Sequence, residues 1–164
     1  MSKLDHPFIV SMLRSFESKH HYYIVMLNAE HGDLFRLIRQ RSKLCRRRSS
    51  RILLQVYLAI NHLHRQDIIY RDLKPENVLI GEYERIQLTD FGLSRQILRG
   101  GAKASTLCGT PEYLSPEMIE NRGYGLEVDI WALGVLYFEL LRGTAPFSDS
   151  DPFNLFEKIL HLAI

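Results

Sequence analysis

Cysteine is scarce in this chain. Cys45 and Cys108 are the only two among 164 residues, and neither sits in a metal-type spacing. A disulfide scaffold and a zinc finger are thereby excluded, and a reducing compartment is expected, the cytoplasm or else the nucleus. Long hydrophobic runs are also missing. The longest, Ile130 to Leu141, is interrupted by Glu139 and falls short of the ~20 residues that cross a bilayer, so no membrane span is expected. Asp5, His6 and Pro7 break the first ten residues, which do not read as a signal peptide. There is no internal repeat and no low-complexity tract. What is present is ordinary globular material, 46% hydrophobic and 24% charged. A chain of this length buries about 70% of its unfolded surface, enough for a genuine core.

Acid is absent from one stretch. Residues Arg36 to Arg51 include eight Lys or Arg and no Asp or Glu. Removing those eight from the 21 basic residues leaves 13 against 19 acids, so a basic patch sits on an otherwise acidic body. Acidic membrane or nucleic acid would suit such a patch, and salt-dependent binding would reveal either. A solvated pair of helix faces is the preferred reading. No aromatic residue interleaves the charges, and a nucleic-acid partner is not expected.

The apolar pattern suggests a helix-rich body with a few short strands. Tyr22 to Leu27 is β-rich and follows a polar turn, Ser18 to His21. Leu34 to Gln40 suits a short helix with Asp33 at its start. Leu53, Val56, Tyr57, Ile60 and Leu63 repeat at helical spacing and predict a helix over Ser50 to His64, with Ser49 or Ser50 as its N-cap. Asn77 to Ile80 and Arg85 to Thr89 read as a hairpin, and Leu98 to Thr110 as a glycine-rich mobile loop. Val128 to Leu141 predicts a helix buried on most sides. A last helix spans Phe153 to Leu162, with Asp151 or Ser150 as cap and Pro152 in its first turn.

Three short motifs carry chemistry. The first is Tyr70-Arg71-Asp72-Leu73-Lys74-Pro75-Glu76-Asn77, flanked by Ile68-Ile69 and Val78 to Ile80. A stiff loop anchored on both sides can aim a carboxylate, an ammonium and an amide oxygen into one small volume. The second is Thr89-Asp90-Phe91-Gly92, directly after a predicted strand, where the carboxylate suits Mg²⁺, an ion that prefers hard oxygens shared with phosphates. The third is Gly109-Thr110-Pro111-Glu112-Tyr113, followed by Ser115-Pro116-Glu117.

In this order and spacing the three motifs resemble those of eukaryotic protein kinases. The Tyr-Arg-Asp form of the loop and the stretch Thr106 to Tyr113 are similar to the AGC group of Ser/Thr kinases, near the cyclic-nucleotide-dependent ones. The resemblance implies an α+β, protein-kinase-like fold. Residues 1–27 would be a remnant of the small lobe, 28–33 the hinge, and 34–164 part of the mostly helical large lobe. The first strands, with the Gly-rich loop and Lys, and the final helices find no counterpart in the sequence. A partial kinase domain is therefore expected.

The resemblance also implies roles. Asp72 would orient the substrate hydroxyl, Lys74 contact the transferring phosphate, and Thr110 favour Ser or Thr as acceptor. Asn77 and Asp90 would hold Mg²⁺. ATP would lie against Met26, Leu27, Ala29 and Leu79, with Asp33 and Glu76 near the ribose side. Thr106 would be a phosphosite for an upstream activating kinase, its phosphate received by Arg71 and Arg95. Glu76 and Glu139 would select Arg upstream of the acceptor, with Asp33 adding to this, and Leu107, Pro111 and Leu114 would line a pocket for the residue after it. A buried Glu139 needs a partner or access to solvent. Two functions stay open: a Ser/Thr kinase acting on protein substrates with basic residues upstream, as part of a complete domain, or an inactive truncated fold that binds substrates or partners.

Overall fold

The structure, a computed structural model, describes residues 4–97 and 103–161. Strands β1 (Met12–Glu17) and β2 (Tyr22–Met26) form an antiparallel hairpin closed by the Ser18 N–H to His21 carbonyl bond of 2.8 Å. The mixed run MLRSFE gives no clean alternation, so only β2 is legible in the sequence. Pairing fixes β1, and it stacks Phe16 on Tyr23 with ring centroids 4.8 Å apart.

Helix α1 (Leu34–Arg41) starts where expected. Asp33 is extended, and its carboxylate accepts the Arg36 N–H at 2.7 Å, an N-cap in the usual sense. Helix α2 spans Arg46–His64, one turn longer than the sequence pattern suggests. This corrects the expected caps. Ser49 and Ser50 lie inside the helix, Ser49 fully buried and Ser50 bonded through its hydroxyl to Tyr137. Cys45 occupies the N-cap position without a side-chain bond. Tertiary packing wins over capping chemistry here: Ser49 extends the buried stripe of Ile52, Val56, Ala59, Ile60 and Leu63 by one turn.

After α2, β3 (Ile68–Ile69) leads into a loop, a 3₁₀ turn at Pro75–Asn77, and the expected hairpin of β4 (Val78–Ile80) and β5 (Ile86–Leu88). The Gln55 side chain of α2 accepts the Ile86 N–H at 3.1 Å and donates to the Glu84 carbonyl, tying the hairpin to the helix. A two-residue strand, β6 (Arg95–Gln96), pairs antiparallel with β3. Of the predicted mobile loop, residues 98–102 lie outside the described residues. The part that follows is pinned: Ala104 is buried and exchanges both backbone bonds with Tyr124.

Helices α3 (Pro116–Ile119), α4 (Glu127–Arg142) and α5 (Pro152–His161) complete the described chain. Leu162, placed in the last helix by its sequence, is outside the described residues. Asp151 caps α5 by accepting the Asn154 N–H. Helix α4 packs on α2 and buries Val128, Ala132, Leu133, Val135, Leu136 and Leu140. Its end is locked to the end of α1. Gly143 has φ 85°, and a Cβ there would lie 1.7 Å from the Ser42 carbonyl oxygen, so only glycine fits. Among the described residues, no helix is long and apolar enough to cross a membrane.

Candidate active site

The loop after β3 is held from below by one buried side chain. Asp129 of α4, 1% exposed, accepts the N–H groups of Tyr70 at 2.8 Å and Arg71 at 2.9 Å, and bonds His64 Nε2 of α2 at 2.8 Å. Arg71 itself has φ 70°, a conformation rarely adopted by residues other than glycine. Bonds to Asp129 overdetermine that backbone, as such functional loops require. Tyr70 is buried, packs edge-on against Phe91, and donates its hydroxyl to the Thr89 carbonyl. Burial, and then the charges of Asp72, Asp90 and Asp129, raise its hydroxyl pKa well above the ordinary value, so it stays a neutral donor.

Asp72 lies just beyond and collects three side chains. Asn77 Nδ2 donates to its Oδ2 at 2.9 Å and to its backbone carbonyl at 2.8 Å. Lys74 Nζ sits 3.2 Å from Oδ2, and Thr110 Oγ1 donates to Oδ1 at 3.2 Å. Thr110 reaches this position because Gly109, φ 108°, lets the segment press against the loop: a Cβ on Gly109 would meet the Arg71 carbonyl oxygen at 2.7 Å. Thr89 N–H donates to the Asn77 carbonyl, which sets the following residue, Asp90, beside the same cluster. Asp90 has φ 52° and is exposed, with Oδ1 accepting the Gly92 N–H at 3.1 Å. Lys74, Asn77 and Thr110 thus gather on Asp72, and the charges of Asp72 and Asp90 both act on the Tyr70 hydroxyl.

The segment after β2 crosses to β4, where His31 N–H donates to the Ile80 carbonyl at 3.2 Å. Met26 and Leu27 are exposed and Ala29 is half-buried. Ile80 N–H donates to the Gly32 carbonyl, and Asp33 bridges to Leu79, which brings these two candidates side by side.

On the other flank a cavity of about 700 Å³ is lined in part by Glu76, Thr110, Glu112, Tyr113 and Glu139. Glu139 has the partner its burial calls for: Tyr113 donates its hydroxyl to Oε2 at 2.5 Å. Burial raises the Glu139 pKa, the Tyr113 bond lowers it, and the charges of Glu76 and Glu112 raise it, with a net shift upward. Leu107 and Pro111 are exposed, whereas Leu114 packs inward in the cluster of Ile69, Met118 and Val128, so these three do not form one surface.

Thr106 is exposed, and its carbonyl accepts the Tyr124 hydroxyl at 2.6 Å. Arg71 donates from Nη1 to the same hydroxyl at 3.1 Å and from Nε to the Leu93 carbonyl at 2.6 Å. Arg71 therefore lies one side chain away from Thr106. Arg95 is exposed on β6, opposite Ile69 and close to the start of the loop.

The family model described as "Protein kinase domain" matches residues 1–163. The chain belongs to the protein kinase family. It is 41% identical, over 98% of its length, to "cAMP-dependent protein kinase catalytic subunit PRKX" of Mus musculus, covering 44% of that protein. It is also 41% identical to "cAMP-dependent protein kinase catalytic subunit" of Dictyostelium discoideum, covering 24% of it. The same identity holds to "cGMP-dependent protein kinase, isozyme 2 forms cD5/T2" of Drosophila melanogaster, covering 17%. The chain thus spans less than half the length of each of these relatives.

This kinase chain uses residues that sequence reasoning missed. Asp129 and its partner His64 hold the Asp72 loop, Tyr124 links Arg71 to Thr106, and Glu112 joins the acids of the flanking cavity. A signal for Asp129 existed: it is an acid at the head of an apolar helix, and a buried carboxylate demands donors.

Proposed function

We propose that this chain supplies the phosphoryl-transfer half of an AGC-type serine/threonine kinase that uses MgATP and prefers substrates with Arg upstream of the acceptor. The observation that carries this reading is the convergence of Asn77, Lys74 and Thr110 on Asp72, with Asp90 alongside. Asp72 would accept the proton of an incoming hydroxyl. The Lys74 ammonium beside it would meet the transferring phosphoryl oxygens, and Thr110 would hold the acceptor's backbone close.

The donor set suits magnesium. Asn77 gives its amide N–H to Asp72 and would offer its amide oxygen as a hard ligand, and Asp90 presents an exposed carboxylate. Among the described residues no three His, Cys, Asp or Glu side chains form a metal cage. Mg²⁺ needs none, since one or two protein oxygens plus phosphates commonly hold it. When bound, MgATP supplies the phosphoryl group and the charge screening of its leaving oxygen. Met26, Leu27, Ala29, Leu79 and Asp33 would flank the nucleoside, and Glu76 would serve both cofactor and peptide sides.

Arg preference is supported by three acids, Glu76, Glu112 and Glu139, lining one cavity next to Thr110. Thr106 is exposed beside the Tyr124–Arg71 pair and fits a regulatory phosphosite, with Arg71 as the linked cation, Arg95 as the second receiver that the family pattern implies, and an upstream kinase as modifier. The free thiols of Cys45 and Cys108 suit a reducing compartment, the cytoplasm or the nucleus.

The test compares Mg²⁺-ATP binding and peptide phosphorylation by this chain and by a version extended upstream. Asp72→Asn should lower phosphorylation by about 10²- to 10⁴-fold without unfolding the protein. Turnover in that variant equal to wild type, or a peptide library without preference for upstream Arg, would overturn the respective half of the reading.

A further inference from the structure

The cavity that holds Glu76, Glu112 and Glu139 changes sign along its length. Its remaining wall includes Arg39, Ser42 and Arg142. Arg142 follows Glu139 by less than one full turn of α4, roughly 4.5 Å of rise, so the reversal is abrupt. The wall is rigid: Leu44 N–H donates to the Leu140 carbonyl at 2.9 Å, and Gly143 lies against Ser42. Arg39 is fixed by its guanidinium lying 4.7 Å from the centre of the Phe35 ring.

Beyond this wall the surface stays basic. Arg41, Lys43, Arg46 and Arg47 are exposed, and none has an acidic partner among the described residues. Among the described residues, only Arg48 and Arg51 of the run have an acidic partner, both Glu84, at 2.7 and 3.7 Å. Helix dipoles account for some of these charges. Arg39, Arg41 and Arg142 occupy last turns, where cations are favoured. Arg46 and Arg47 stand in the first turn of α2, where the dipole opposes them and no acid relieves it. Their presence works against local stability, and an anion placed from outside would reverse that.

We propose that this basic end of the groove receives an acidic segment of the protein substrate, farther from the acceptor than its arginines. The substrate class is then a Ser/Thr segment of two signs, Arg near the acceptor and Asp or Glu beyond. The occupant is a continuation of the peptide in the groove because the two charged regions share one cavity wall. A bilayer is disfavoured because Leu44, the apolar residue of the α1–α2 turn, is only 5% exposed and leaves nothing to insert. This inference rests on the Arg-directed reading of the acids above.

The experiment measures fluorescence anisotropy of labelled peptides with the full chain at low salt. One peptide carries Arg near Ser with an Ala extension, a second the same Arg with an Asp/Glu extension, and a third the acidic extension without Arg. The acidic extension should tighten binding about five-fold, the sum of a few exposed ion pairs, and the gain should fade in high salt. In Arg39→Glu/Arg142→Glu that gain should vanish or reverse. The comparison is made between peptides within each variant, so a general loss of affinity cancels. Arg46→Ala/Arg47→Ala, both on an exposed helix end, provides a second variant whose fold is safe and whose gain should shrink. Equal binding of the Ala- and acid-extended peptides, with Arg still required, would overturn the proposal alone. Indifference to Arg as well would overturn the Arg-directed reading with it. Binding of phosphatidylserine vesicles that is lost in Arg46→Ala/Arg47→Ala, with no discrimination among peptides, would overturn it in favour of a membrane surface.

Discussion

Asp129→Ala is the sharpest test of how the Asp72 loop is held. The substitution removes a carboxylate that accepts from Tyr70 N–H, Arg71 N–H and His64 Nε2 at 2.8 to 2.9 Å. Asp129 is 1% exposed, so water does not readily replace it. Each of the two stranded amides loses a charge-assisted bond and is left buried without an acceptor, at about 1–3 kcal/mol apiece. The expected loss is therefore about 3–5 kcal/mol, a large share of the 5–15 kcal/mol typical of a domain. With a slope of about 2 kcal/mol/M, the urea midpoint should fall by roughly 2 M. Asp129→Asn retains one acceptor but turns an N–H toward one of the donors, and should fall between the two. Arg71, held at φ 70°, should relax first, which hydrogen exchange at Tyr70 and Arg71 would register ahead of global unfolding. A midpoint for Asp129→Ala within about 0.3 M of wild type, with those amides still protected, would refute the reasoning.

Three further outcomes follow from local geometry. Gly143→Ala should destabilise by more than about 2 kcal/mol, because its Cβ would overlap the Ser42 carbonyl, while Gly134→Ala, with open space at its Cβ, should be stabilising by up to about 1 kcal/mol in the same urea titration. Glu139→Gln should be more stable than wild type at neutral pH: a carboxyl with a raised folded pKa costs nothing below its unfolded value and costs most once ionised, so the gap between the two unfolding midpoints should close as pH falls toward about 4, and a gap independent of pH would contradict this. Thr106→Ala should lower activity of the complete enzyme isolated after activation, with equal turnover counting against a switch at that exposed residue.

What the sequence reveals depends on whether a feature is local. The Asp72 loop and the Asp90 turn are local: each is a run of consecutive residues legible as a motif, and the family resemblance implied that they act together. Asp33 capping α1 and the β4–β5 hairpin are local too. The start of α2 is not. Ser49 reads as a cap, and only the core of the folded chain shows it buried in the stripe that meets α4. The two-residue strands β3 and β6 are too short for any pattern, yet they fix the base of the Asp72 loop. Asp129 was hidden for the same reason. Its value lies in two amides 58 and 59 residues earlier, a pairing that no window along the chain contains.

Two carboxylates on α4 separate what the fold needs from what it leaves to a ligand. Asp129 is satisfied within the molecule by its three donors. Glu139 has one, the Tyr113 hydroxyl, and faces Glu76 and Glu112 instead of a base. Grouping three acids gains nothing for a folded chain, since each like charge makes the others harder to ionise. A guanidinium among them reverses every one of those effects, and its planar fork of five N–H donors matches paired carboxylates better than an ammonium does. Arginine should therefore bind best when Glu139 is ionised, and its arrival should drive a proton off. The affinity of an Arg-bearing peptide should rise as pH climbs from the ordinary carboxylate range toward neutrality, through the raised Glu139 value, and Glu139→Gln should flatten that profile. Affinity that stays constant over this range in wild type, with arginine still preferred to alanine, would locate recognition outside this cavity.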